Sequence, residues 1–388
     1  MKDYSTRDIE PSRLSYINYF LNLEGFMEPI ELRHKLHQIP ELMFREFETT
    51  KLLTDTISKL PVIKIHHPLE TGLLVEYTVN NNGYLLFRAD IDALPIKEET
   101  GIDFSSTNNF MHACGHDVHS SILYGFMKYV VENKIDRNIL FLFQPAEEGG
   151  GGAEKVIASG ILYKFKIEKA FALHVTDEYD FGTIASTSGV LFASAFEVDL
   201  EIYGKSAHVA FPENGVHSFD TLRLFLDKVD SLIKGKTERI IFGYGKISSG
   251  TARNIIPSLT RAECTIRTMN MESSLKFHDD LKQLLDELKS TKGIAYNLHK
   301  GPLYSEVVVN ENLFKQYSSL LSKDYNFIDC GSKMTGEDFG FFTKLYPSFM
   351  FWLGTSKGEK HGLHNPKFLP DDSIIDVAID IFKKIIHH

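Results

Sequence analysis

Tyr84-Leu85-Leu86-Phe87-Arg88-Ala89-Asp90 is a short apolar run that stops at charged residues. Ile139 to Phe143 before Gln144, and Ala170 to Leu173 before His174, repeat the pattern. Brief apolar runs bounded by polar residues predict strands buried on both faces, as in a parallel sheet. Helical spacing over His119–Asn133, and over Ala153–Ser159 closed by Gly160, falls between these runs, which together predict an open α/β sheet. In such sheets ligands gather at the carboxyl ends of the strands. Asp90, Asp92, Glu147, Glu148 and His174 all fall there.

From about residue 185 the rhythm changes. Phe196 to Tyr203 alternates apolar and polar residues, and the following segments read as a helix (216–234), two strands (239–247 and 259–268), a helix (271–289) and a strand (293–299). That β-α-β-β-α-β order predicts a split βαβ unit with helices on one sheet face. The α/β pattern then resumes with a helix near 311–322, a strand over Phe349–Leu353 and a last helix from 372, so the second unit is inserted into the first. The expected division is an N-terminal extension (1–26), a first part of the main domain (27–184), an insertion (185–299) and a second part (300–388). A chain of 388 residues is long enough for more than one core.

A net charge of −10 argues against a surface that tracks nucleic-acid phosphates or anionic lipid. No stretch approaches the ~20 apolar residues of a membrane span, and Asp3, Arg7, Asp8, Glu10 and Arg13 do not make a signal peptide. Cys114, Cys264 and Cys330 are too few and too scattered for a disulfide scaffold. A reducing cytoplasm is the expected setting, with neither nucleic acid nor membrane as partner.

His112-Ala113-Cys114-Gly115-His116-Asp117-Val118-His119 concentrates thiol and imidazole donors in the loop before a predicted helix. Thiolate and imidazole suit Zn²⁺ and related first-row ions, although clustered histidines also simply cap helices. Gln144-Pro145-Ala146-Glu147-Glu148-Gly149-Gly150 sets two carboxylates at the end of a buried strand. Neighbouring side chains there point in different directions. Glu148 is therefore the expected ligand and Glu147 the expected general base, since hydrolysis needs a group that holds the ion and another that takes the water's proton. His174 shares the sheet edge with this pair.

Arg88 to Pro95, the His112–Asp117 segment, Gln144 to Gly149, Leu173-His174-Val175 and Leu363-His364-Asn365-Pro366 together resemble the amidohydrolase branch of the aminoacylase and carboxypeptidase metallopeptidase family. The resemblance runs from residue 27 to about 385, with the motifs in the same order. It implies that Cys114, His116, Glu148, His174 and His364 hold two divalent ions (Zn, Mn, Co or Ni) and that Glu147 is the catalytic acid/base. It also implies a catalytic domain interrupted by a ferredoxin-like lid that dimerises. In that lid, His208 of Gly204–His208 would reach a second subunit's site, and Asn254 and Arg267 would contact substrate. Asp92 is expected to orient a ligand, with Asp90 a weaker candidate. His112, Asp117 and His119 are expected as supporting partners or helix caps.

The implied reaction is hydrolysis of an N-acyl amino acid. Met334–Gly340, Phe349–Gly354 and Gly189–Ala193 are most similar to members of the branch that deacetylate an N-acetylated diamino acid of lysine biosynthesis. Another N-acyl amino acid, of hippurate or indoleacetyl type, is the nearest alternative; a metal-free amidase using Cys114 as nucleophile and a non-catalytic binding protein are the others. Asn365 stands where many relatives carry a second His, and Ser206-Ala207 replace a commoner Gly-Gly.

Overall fold

The computed structural model describes residues 26–388, so the N-terminal extension expected over 1–26 lies almost wholly outside the described residues. The strand Tyr84–Asp90 lies between Asn138–Gln144 and Ile167–Asp180 and is parallel to both. Ser348–Ser356 adds a further parallel strand beyond Ile167–Asp180. Ile63–His66 and Leu73–Tyr77 extend one side antiparallel, and Ile184–Ser186 and Phe327–Asp329 complete eight strands on the other. The result is a mixed sheet whose central strands are apolar because layers cover both faces.

The helix His116–Glu132 packs on Tyr84–Asp90 and lies between Pro29–Gln38 and Ile374–Ile386. Phe87, Phe126, Phe171 and Phe382 interlock there, with ring centroids 4.7–5.1 Å apart from that of Phe87. Each such aromatic contact adds ~0.5–1.5 kcal/mol beyond simple burial. That packing fixes the helix's first turn, where the donor-rich segment sits.

One expectation changes. The strand containing His174 does not stop at Leu173 but runs on to Asp180. Its pairing with Tyr84–Asp90 ends at Ala172, whereas Ser348–Ser356 stays paired with it on the other side. His174 therefore sits where one neighbour has left the sheet and a cleft begins, a position that a short apolar run does not reveal.

The inserted unit is a four-stranded antiparallel sheet ordered Ala295–Tyr304, Ser194–Tyr203, Leu259–Thr268 and Ile241–Ser249. Helices Ser218–Lys234 and Met271–Lys292 complete the β-α-β-β-α-β order and pack on it. Its own core joins Phe196, Val198, Leu200 and Ile202 to Phe225, Leu281 and Leu285. The strands span 194–304, later than the expected 185–299, because Ile184–Ser186 belongs to the large sheet and Gly189–Phe192 pairs with Val307–Val309 beside it. Among the described residues no helix is long and apolar enough to cross a membrane.

Candidate metal centre

Cys114 and His116 flank Gly115, whose φ is +82°. A Cβ at Gly115 would meet Val175 Cγ2 at 2.5 Å, so a glycine is needed both for the turn and for the close approach to the neighbouring strand. Ala146 and His364, either side of the cleft in sequence, also hold positive φ values of 58° and 63°. Strain of this kind costs on the order of 1–3 kcal/mol per residue and persists where surrounding structure imposes it.

The five residues named from sequence converge. Cys114 Sγ lies 3.4 Å from His174 Nε2 and 3.3 Å from His364 Nε2. Glu148 Oε1 lies 3.3 Å from His364 Nε2 and 3.9 Å from His116 Nε2. Donor atoms of Cys114, His116 and Glu148 all fall within 4.8 Å of one another. Asp92 holds two of the five in place: it faces His116 Nδ1 at 3.2 Å through Oδ1 and accepts the Glu148 backbone N–H at 2.9 Å through Oδ2. His119 is used differently. Its Nδ1 faces Asp90 at 2.6 Å and its Nε2 accepts the Val175 N–H at 2.9 Å, so both ring nitrogens are occupied.

This donor set fits a pair of divalent ions. Burial, then the Glu148 and Glu147 carboxylates, push the Cys114 thiol well above its ordinary range, and burial, then His119, hold His174 well below its own. His116 Nε2 is buried without a hydrogen-bond partner. Against the cost of burial, the neighbouring carboxylates of Asp90, Asp92 and Glu148 push His116 up to about 10. A cation is therefore favoured at the point where its unpartnered Nε2 meets the thiol and the Glu148 carboxylate, and a bound divalent ion would supply that charge.

Behind the centre lies a network that sequence reading missed. The wholly buried Arg88 guanidinium donates to Asp90 at 2.7 Å, Glu337 at 2.9 Å, Asp338 at 2.8 Å and Gln144 at 2.9 Å. Glu147 is buried beside it, and burial, then Glu337 and Glu148, hold its carboxyl well above the usual carboxylate range. A carboxyl so placed is a natural proton acceptor once cations are present and a donor afterwards. An Arg in an apolar strand and a second adjacent acid pair, Glu337-Asp338, were the available signals, since buried arginines and acids are rarely left unpaired.

Residues 86–388 match peptidase family M20/M25/M40. The chain belongs to that family. It is 38% identical over 358 residues to the N-acetyldiaminopimelate deacetylase of Exiguobacterium sibiricum, covering 91% of this chain and 96% of the relative. It is also 38% identical to the enzyme of that name from Bacillus subtilis, with the same coverage. The crystal structure of the YXEP protein of Bacillus subtilis, a dinuclear metal binding peptidase from the M20 family, matches with a TM-score of 0.77 at 27% identity, covering 92% of this chain and 96% of that one.

In this M20 chain the centre opens into a cavity of about 530 Å³ lined from both sheets. Phe192, Met334, Trp352 and Leu363 form apolar wall, and Arg267 enters from the inserted sheet. His208 and Asn254 do not line it. They lie together on an exposed part of the inserted unit, where the Val209 N–H donates to the Asn254 carbonyl at 3.0 Å and His208 bridges to Ile255. Tyr304, unremarked in the sequence, ends the last strand of the inserted sheet. Its hydroxyl donates to the Glu147 carbonyl at 2.8 Å and accepts the Gly151 N–H at 3.0 Å, clamping the loop that carries the acid pair. His112 is buried and kept neutral, pushed down to about 4 by burial. Asp117 faces His37 at 2.9 Å and accepts from Arg33 at 3.3 Å, so it ties the helix start to Pro29–Gln38.

Proposed function

We propose that this chain is a two-metal amidohydrolase that removes the acetyl group from N-acetyl-L,L-diaminopimelate, giving L,L-diaminopimelate and acetate. The observation that carries the reaction type is the buried Glu147 carboxyl beside a five-residue donor set of Cys114, His116, Glu148, His174 and His364. The substrate rests on relatives of that name aligned over most of the chain. When bound, the divalent pair supplies a Lewis acid for the scissile carbonyl and acidifies the attacking water. Glu147 takes the water's proton and passes it to the departing amine as the carbon–nitrogen bond breaks. Asp92 keeps His116 and Glu148 aimed inward, and Tyr304 holds the Glu147 backbone. The three scattered thiols, none in a disulfide, support a cytoplasmic setting.

A substrate panel tests this. For the metal-loaded protein, kcat/KM for N-acetyl-L,L-diaminopimelate is expected to exceed those for N-benzoyl and other N-acetyl amino acids by about tenfold or more. Equal values would sink the named substrate, and activity that survives exhaustive chelation but is lost on thiol alkylation would favour Cys114 as a nucleophile.

The position of His208 and Asn254, exposed and outside their own chain's cavity, supports a homodimer in which His208 of one copy reaches the other's site to stabilise the oxyanion. His208→Ala is expected to lower kcat by about 10²-fold. Mixing it with an inactive Glu147→Gln chain is expected to restore activity, because the mixed dimer holds one site with both groups intact. No restoration on mixing would rule out action between subunits.

A further inference from the structure

Four glutamates line the cavity: Glu147, Glu148, Glu197 and Glu337. The groups close enough to share a metal ion include Glu147, Glu148 and Glu337 but, among the described residues, not Glu197. Glu197 stands instead on the inserted sheet. In the pairing of Ser194–Tyr203 with Leu259–Thr268, Glu197 is opposite Thr265 and Ala195 is opposite Arg267. Side-chain alternation puts these four residues on one face, while Phe196, Val198, Cys264 and Ile266 turn to the core.

Among the described residues Glu197 makes no side-chain hydrogen bond or close ion pair, and Arg267, diagonal to it on the same face, is its charge neighbour. The strand Ala295–Tyr304 bulges between Lys300 and Leu303 beside it. Gly301 lies in that bulge, where a Cβ would come within 3.1 Å of both the Glu197 Cβ and its carbonyl oxygen. On the same sheet face Glu201 pairs with Arg261 at 2.8 Å and Glu263 with Lys246 at 2.6 Å. Glu197 has no such ion pair among the described residues, and Asp199, which also has none, lies outside the cavity lining. Among the described residues Arg267 is the one lysine or arginine in that lining. A cavity that places one unpaired acid and one arginine away from the metal centre suits a ligand with an ammonium and a carboxylate beyond the amide being cut.

We infer that Glu197 selects substrates by binding the ammonium group of a diamino acid's side chain, with Arg267 taking a carboxylate. This rests on the deacetylase reading and adds the group that distinguishes a diamino acid from the many N-acetyl amino acids with apolar side chains. Glu197 is exposed on its strand, so a charge-assisted hydrogen bond that it makes to a substrate ammonium is worth about tenfold in selectivity.

The test compares Nα-acetyl-L-lysine with N-acetyl-L-norleucine, which differ only in the terminal ammonium, alongside N-acetyl-L,L-diaminopimelate. Metal content and melting temperature check that the Glu197→Gln and Glu197→Asp variants are folded and loaded. The wild-type protein is expected to favour the lysine compound over the norleucine compound by about tenfold or more in kcat/KM. Glu197→Gln is expected to bring the ratio near one, and Glu197→Asp to retain part of it. A wild-type ratio near one, or a full ratio in Glu197→Gln, overturns the inference. If the ratio collapses in Glu197→Gln but the diaminopimelate compound is not hydrolysed, the role of Glu197 stands and the named substrate falls.

Discussion

Glu147→Gln is expected to lower kcat by about 10³-fold while the protein keeps its metal, since general acid–base groups contribute roughly 10²–10⁴-fold. The substitution preserves shape and removes only the proton acceptor. The donor atoms of Cys114, His116, Glu148, His174 and His364 are untouched, and the Tyr304 hydroxyl still holds the backbone carbonyl of residue 147. Single-turnover kinetics beside elemental analysis checks the prediction. Unchanged turnover would refute the role of Glu147, and loss of metal with activity would recast it as a ligand. A protein that merely stores metal has no use for a base at this point, so the same result separates catalysis from storage.

Arg88→Met is expected to destabilise the protein by about 3–5 kcal/mol, the usual cost of removing one partner from a buried ion pair. Asp90, Glu337 and Asp338 would remain buried without their cation. For a protein of this size the melting temperature should fall by roughly 4–6 °C. Thermal unfolding of the two proteins at matched metal loading measures this, and a fall of under about 2 °C would show that these acids find other partners. Arg88→Lys should recover only part of the loss, because an ammonium cannot reproduce the fork that bridges Asp90, Glu337, Asp338 and Gln144.

The strands that build the site were legible because burial on both faces leaves continuous apolar runs. Tyr84–Asp90 and Asn138–Gln144 extend those runs by only a few polar residues. The insertion was legible for a related reason: a sheet covered by helices on one face alternates, as Phe196 to Tyr203 does. Cys114, His116 and Glu148 stood out by local density. His174 needed the strand-edge argument, and His364 came from resemblance alone, since a lone histidine in a loop has no local signal.

What stayed hidden depends on contacts between distant parts of the chain. Arg88 meets Glu337 across 249 residues, and Tyr304 meets Glu147 across 157. No periodicity encodes such pairings. Glu197 was hidden for another reason: in an alternating strand it reads as one more solvent-facing acid, and only the sheet's placement over the cavity sets it apart.

The order in which the chain is made gives the insertion a temporal consequence. Cys114 waits 250 residues for His364, and Arg88 waits as long for Asp338. In between, the ribosome delivers a whole inserted unit with its own core. A growing chain therefore carries the thiol, two imidazoles and several acids long before the groups that enclose them exist. The donor set proposed for the metals is therefore complete only once the loop carrying His364 has been made.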